Sequence, residues 1–245
     1  RLHPDRPVRW DAWDLDEQHL NGTLDVPVDA AELMPDLTLQ VIRRWRECTF
    51  TQRYRLRPDG LEIRTDVDWH AEDVLLRMEC DLDVLAASAS AETMYGFLQR
   101  PITQNTSWDR AKFETCGHRW LHVGESGFGV ALLNDAKYGH DALDGTLRQT
   151  LLTASTYPDP AADQGRHRFT LAVLPHLGDL VDGEVVAEGW RLNNPVRAIP
   201  APATSGGLGS AGASVVPVTC EVPGVTVEAA KAAEDGSGDL VVRLA

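Results

Sequence analysis

The feature that most constrains this chain is a two-residue alternation of apolar and polar side chains. Leu61, Ile63, Val67 and Trp69 are separated by Glu62, Arg64, Asp66 and Asp68. That is the period of an extended strand, whose successive side chains leave opposite faces. Upstream, Cys48, Phe50, Tyr54 and Leu56 alternate in the same way with Thr49, Thr51, Arg53 and Arg55. Between the two runs, Arg57-Pro58-Asp59-Gly60 has Pro second and Gly fourth, the residues a type I turn favours. The pair predicts a β-hairpin.

The alternation returns in "DVLLRMECDLDV", where Val74, Leu76, Met78, Cys80, Leu82 and Val84 share a face. Further strand patterns follow in "RWLHVGESGFGVALLND", "GTLRQTLLTAS" and "HRFTLAVLPH". The ending "GVTVEAAKAAEDGSGDLVVRLA" reads as two strands around Gly-Ser-Gly, with a helical turn over "VEAAKAAED" as the alternative. Long amphipathic helical patterns are otherwise missing. Short strands punctuated by Gly, Pro and Asp predict an all-β chain, a large antiparallel β-sandwich with few short helices. "AIPAPATSGGLGSAGAS", residues 198–214, is low-complexity and predicts a flexible surface loop.

A chain of 245 residues can bury a sizeable core. Its net charge of −14 argues against a nucleic-acid partner, which needs clustered Lys and Arg. No apolar run reaches the roughly 18–20 residues that span a bilayer, so no membrane role is expected. Cys48, Cys80, Cys116 and Cys220 are too far apart for a zinc ribbon or a redox pair and read as free thiols of a cytoplasmic protein. Arg1 in place of Met, and the abrupt end at "LVVRLA", suggest a fragment.

The densest polar group follows the most apolar strand. In "GVALLNDAKYGHD", residues 129–141, five strand-like residues run into Asn134, Asp135, Lys137, Tyr138, His140 and Asp141. A turn needs only the Gly and one Asx residue, so the rest form either a solvated loop or the rim of a polar site. His118 and His122 have a zinc-like spacing, but four residues of strand span ~13 Å, too far for two imidazoles to share one ion. The pairs Asp66/Asp68 and Asp81/Asp83 read as solvated faces, since calcium needs six to eight oxygen ligands. No nucleophile elbow, phosphate loop or dinucleotide fingerprint occurs.

Five stretches in order, "RPITQNTSWD", "AKFETCGHRW", "GVALLNDAKYGHD", "LRQTLLTAS" and "DQGRHRFTLAVLPH", resemble the C-terminal β-sandwich region of glycoside hydrolase family 38, the α-mannosidases. The opening "RPVRWDAWDLDEQH" and the last twenty-odd residues resemble that region too, so the likeness leaves out only residues 198–214. It implies a retaining, zinc-dependent mannosidase whose nucleophile, acid and zinc ligands lie in an N-terminal catalytic domain of the same chain. No catalytic residue and no metal ligand is therefore expected in these residues, and the zinc is expected in the full-length enzyme. The resemblance implies an entry segment over 1–40 that packs on the catalytic part, a main sandwich over 41–197, the loop over 198–214, and closing strands over 215–245. Asn134, Asp135, Lys137 and Tyr138 are the candidate contacts to a mannose-containing glycan; Arg100 and Trp108 are the candidate interdomain anchors. A homo-oligomer is compatible with this reading. The rival is a free-standing carbohydrate-binding module, which needs an exposed aromatic platform; Trp10, Trp13, Trp108 and Trp190 lie in polar segments, whereas Trp45, Trp69 and Trp120 read as core. A purely structural sandwich differs from the enzyme reading only at the polar loop.

Overall fold

The hairpin expected around Pro58-Asp59 forms, with Arg57 opposite Gly60 as the first of nine register pairs. The structure, a computed structural model, describes residues 1–197, 218–222 and 225–245. In chain order its strands begin with β1 (Leu2–Pro4), β2 (Val28–Leu33), β3 (Leu39–Trp45), β4 (Cys48–Arg57) and β5 (Gly60–Trp69). Next come β6 (Val74–Asp81), β7 (Ser88–Thr93), β8 (Gly96–Pro101), β9 (Thr115–Cys116) and β10 (Trp120–Glu125). The first unit, Arg1–Pro195, closes with β11 (Phe128–Asn134), β12 (Gly139–Leu143), β13 (Thr146–Leu152) and β14 (Gly165–Leu177). Its two α-helices are α1 (Ser107–Arg110) and α2 (Val185–Asn193).

These strands make two antiparallel sheets, one of five strands in the order β1-β6-β13-β12-β9 and one of nine in the order β2-β3-β4-β5-β14-β11-β10-β7-β8. Between them Leu2, Leu76, Leu147 and Leu151 pack with Phe50, Val67, Leu132 and Phe169. The chain is thus the large antiparallel sandwich that the alternation predicts. Of the tryptophans expected in the core, Trp69 and Trp120 are 0 % and 1 % exposed, and Trp45 is half-buried against it. Burying such a ring stabilises the fold by roughly 1.5–3 kcal/mol.

The run from Val130 to Leu133 does not alternate, because β11 is covered on both sides. Leu132 faces the inter-sheet core, while Ala131 and Leu133 join Trp120, Leu174, Leu180 and Val185 under α2. A strand buried on both faces reads as a continuous apolar run. The helix approaches closely: a Cβ on Gly189 would lie 2.7 Å from Trp120 Cδ1. Gly60 is held by a similar constraint. A Cβ there would fall 2.2 Å from the Val173 carbonyl oxygen of the neighbouring β14, and backbone cannot move aside as a side-chain tip can. Gly60→Ala should lower stability by about 1–3 kcal/mol, read as a fall in the urea midpoint; an unchanged midpoint would show that this strand end shifts freely.

Residues 1–40, expected as an entry segment, are woven into both sheets. Leu2, His3 and Pro4 pair with Leu76, Leu75 and Val74, and β2 forms an edge of the nine-stranded sheet. Leu2, 2 % exposed, is drawn in by the inter-sheet core. The loop expected over 198–214 lies outside the described residues. In the second unit, Val196–Ala245, β15 (Val227–Ala232) and β16 (Leu240–Leu244) pair as a two-stranded sheet of their own. "VEAAKAAED" therefore opens as strand rather than helix.

Candidate functional site

The polar stretch after β11 is the point where the chain crosses between sheets: β11 belongs to the nine-stranded sheet and β12 to the five-stranded one. Asn134, 2 % exposed, organises the crossing. Its Nδ2 donates to His118 O at 2.8 Å and to Gln149 Oε1 at 3.4 Å, and its Oδ1 accepts from Lys137 N at 2.7 Å. Gln149, fully buried on β13, donates through Nε2 to Lys137 O at 2.9 Å and to Gly139 O at 2.6 Å. Asp135 turns back onto β14, where its Oδ1 accepts from Thr170 N at 2.8 Å. Burial raises its carboxyl pKa above the ordinary value. The left-handed residue of the turn is Ala136, with φ of 79°, not Gly139.

Gly139 has a different reason to be glycine. A Cβ there would lie 2.3 Å from Glu114 Oε1, so the bare backbone makes the seat for that carboxylate. Glu114 is the end of a continuous ion network on the face of the five-stranded sheet opposite the inter-sheet core. It pairs with Arg77, and Thr150 Oγ1 donates to it at 2.8 Å. Arg77, 1 % exposed, lies 2.7 Å from Asp141 Oδ2, at an angle too bent for a hydrogen bond. Arg148 Nη1 donates to Asp141 Oδ1 at 2.8 Å, and its Nε lies 3.6 Å from Glu79 Oε2. Glu79 in turn contacts Arg1 Nη1 at 2.7 Å and His3 Nε2 at 2.8 Å. The row follows from register, since Arg148 stands directly opposite both Asp141 on β12 and Glu79 on β6. Burial opposes the charge on Glu79, but the His3 and Arg1 hydrogen bonds and the nearby Arg148 outweigh it and hold the pKa down at about 2. Burial dominates at Glu114 and raises its pKa despite Arg77.

The four candidate contacts therefore divide. Asn134 is occupied by the turn and leaves the substrate-contact set, because its amide groups are buried and engaged. Asp135 is half-buried and serves the β14 backbone. Lys137 is half-buried, with Nζ 5.4 Å from the Phe169 ring centre, a cation–π distance. Burial lowers its pKa, against the pull of Asp163 and Asp135. Tyr138 is 55 % exposed and meets the His118 ring edge-on, with centroids 6.1 Å apart. His122 goes elsewhere, stacking on His176 at 5.1 Å, so the two histidines serve separate contacts as strand geometry requires.

Of the two anchor candidates, Arg100 on the β8 edge reaches inward, donating to Cys116 O at 3.3 Å, whereas Trp108 on α1 is 80 % exposed. Sequence reasoning missed the ion network. Arg77 and Glu79 lie on the polar phase of β6, which looks like a wet face, and nothing local shows that other segments cover it. Among the described residues no group of three or more His, Cys, Asp or Glu is placed to hold a metal ion. The zinc implied by the resemblance finds no ligand set in them. No described helix is long and apolar enough to cross a membrane.

The family described as "Glycosyl hydrolases family 38 C-terminal domain" matches residues 1–161. Human alpha-mannosidase 2C1 is 36 % identical over 255 residues, covering 99 % of this chain and 24 % of the human protein. Alpha-mannosidase G of Dictyostelium discoideum is 31 % identical over 258 residues, covering 98 % of this chain and 23 % of that protein. Among solved structures, an alpha-mannosidase from Enterococcus faecalis V583 superposes with a TM-score of 0.65 at 19 % identity, over 84 % of this chain and 24 % of that one. This last likeness speaks for the fold alone. The chain spans about a quarter of the length of these relatives.

Proposed function

This chain belongs to the glycosyl hydrolase family 38 C-terminal domain family, and from that premise we propose that it is the C-terminal β-sandwich of a longer α-mannosidase. The whole enzyme removes α-linked mannose from oligosaccharides or smaller glycosides. It works with retention, through an aspartate nucleophile and a second carboxyl that acts first as acid and then as base. Those groups, and a zinc ion, belong to the N-terminal catalytic part of the same chain, and no step of the reaction is routed through the residues described. Two α-mannosidase relatives roughly four times longer support this reading. The four unpaired cysteines support a cytoplasmic location.

The part this sandwich plays is to pack against the catalytic part, with Arg100 and Trp108 at the interface, and to supply a rim to the sugar site. One observation carries the rim: the crossover backbone is pinned by buried Asn134 and Gln149 while Tyr138 remains 55 % exposed beside Lys137. A pinned loop presents its side chains without paying their ordering entropy on binding. Lys137 supplies N–H donors to sugar hydroxyls, and the Tyr138 ring supplies an apolar face with a polar tip. In the longer enzyme, the double substitution Lys137→Ala, Tyr138→Ala should lower kcat/KM for an α-mannoside about tenfold, equivalent to ~1.4 kcal/mol of transition-state binding. An unchanged kcat/KM would remove the rim and leave a packing role.

A further inference from the structure

Two loops of the first unit hold a set of exposed aromatic side chains that neither the fold nor the rim uses. Trp10 is 64 % exposed, Trp13 68 % and Tyr157 67 %. Single exposed aromatics are common, but these sit on loops tied to each other. One oxygen of Asp11 accepts from Thr156 N at 2.7 Å, Thr156 Oγ1 at 3.2 Å and Tyr157 N at 2.9 Å. Each loop is also braced internally. Trp10 O accepts from Trp13 N at 2.7 Å and Asp14 N at 2.8 Å, and Asp163 Oδ2 accepts from Thr153 N at 3.1 Å and Ala154 N at 3.0 Å.

The conformation at Trp10 is costly. Its φ of 62° lies in the left-handed region, which a bulky side chain rarely adopts and glycine adopts freely. The ring gains little burial in return. Strain held by surrounding hydrogen bonds, at a ring left 64 % exposed, is compatible with a recognition role.

We propose that the loops at 7–14 and 155–158 form a binding site for a neutral oligosaccharide, with pyranose rings stacking on Trp10 and Trp13. The flat aromatic faces suit the C–H faces of sugar rings. The exposed carboxylates of Asp14, Glu17 and Asp159 nearby accept from sugar hydroxyls. They also repel phosphorylated or sialylated glycans. Arg9 is the cation in the first loop, since Arg6 is paired with Asp73 at 3.0 Å. The inference rests on the proposed glycosidase reading only for the choice of a sugar as ligand.

The test titrates this chain with a linear α-mannotriose, followed by tryptophan fluorescence and calorimetry. Saturable binding is expected. Trp13→Ala should weaken it at least about tenfold, ~1.4 kcal/mol, whereas Trp108→Ala, at a still more exposed ring on α1, should leave it unchanged. Trp10→Gly is the more telling variant: relief of the left-handed backbone should keep or raise Tm while binding is lost. Mannose 6-phosphate should bind more weakly than mannose. Absence of saturable binding, retention of binding in Trp10→Gly, or equal loss in Trp108→Ala would each overturn the site, and association with a catalytic polypeptide without glycan binding would assign the loops to docking. The rim is read by kcat/KM of the longer enzyme and this site by the loss of binding in Trp13→Ala, so failure of one is separable from failure of the other.

Discussion

Replacing Arg77 by methionine should destabilise the sandwich by about 3–5 kcal/mol, the usual cost of removing one partner from a buried ion pair. Arg77 is 1 % exposed and stands between two carboxylates, Asp141 at 2.7 Å and Glu114, while its Nε donates to Thr150 Oγ1 at 3.2 Å. Methionine fills much of the volume but leaves both acids without their shared cation. Asp141 keeps Arg148 at 2.8 Å, so the larger loss falls on Glu114, whose remaining partner is the Thr150 hydroxyl. The double variant Arg77→Met, Glu114→Gln should therefore recover a substantial part of the loss. Urea unfolding of the single and double variants closes the cycle. A loss below about 1 kcal/mol in the single variant would mean that water reaches these groups and that the row of charges contributes little.

Acidification from pH 7 to 4.5 should lower stability by up to roughly 3 kcal/mol. His19, His122 and His140 are 2 %, 7 % and 3 % exposed, and each has a pKa lowered to about 4. Burial is the main cause in all three, reinforced by His176 at His122 and by Arg100 at His140. The unfolded chain protonates these rings near pH 6.5 while the folded one resists until about 4, so the unfolded state binds more protons in between. Each imidazole then withdraws about 2 kcal/mol across this range. Asp5 acts in the opposite sense. Burial, with Asp11 and Glu114 nearby, raises its pKa to about 7, so the folded state holds an extra proton below that pH and regains about 3 kcal/mol on acidification. Glu114 and Asp135, also raised, act in the same direction as Asp5. Glu79, held at about 2, keeps its contribution throughout this window and loses it only below pH 4.5. Urea midpoints at pH 7, 5.5 and 4.5 measure the slope; a flat profile would show that the three imidazoles are hydrated.

The elements of this fold were more legible than its site. The hairpin at Pro58-Asp59 follows from neighbouring residues alone, because turn chemistry and two-residue alternation are local. The placement of Leu2–Pro4 was not legible: its partner, Val74–Leu76, lies some seventy residues away, and three residues carry no period. At the crossover, the density of polar residues marked an unusual strand end. It did not separate Asn134, which is spent on Lys137 N and His118 O, from Tyr138, which stays in solvent. Both residue types suit either role.

What the sequence by itself determined is the strand periodicity, the turns, the all-β class and the family, since each is written in residues close along the chain or in an ordered series of motifs. Only the tertiary structure decided which polar residues meet. Arg77, Glu114 and Asp141 come from three separate segments, and pairing of β6 with β13 and of β13 with β12 sets two of them beside each other on one buried face. A polar phase on a strand is the same pattern whether water or another layer of chain lies over it. Burial turns the charges of β6 from a wet face into a network, and burial is a property of the assembled layers.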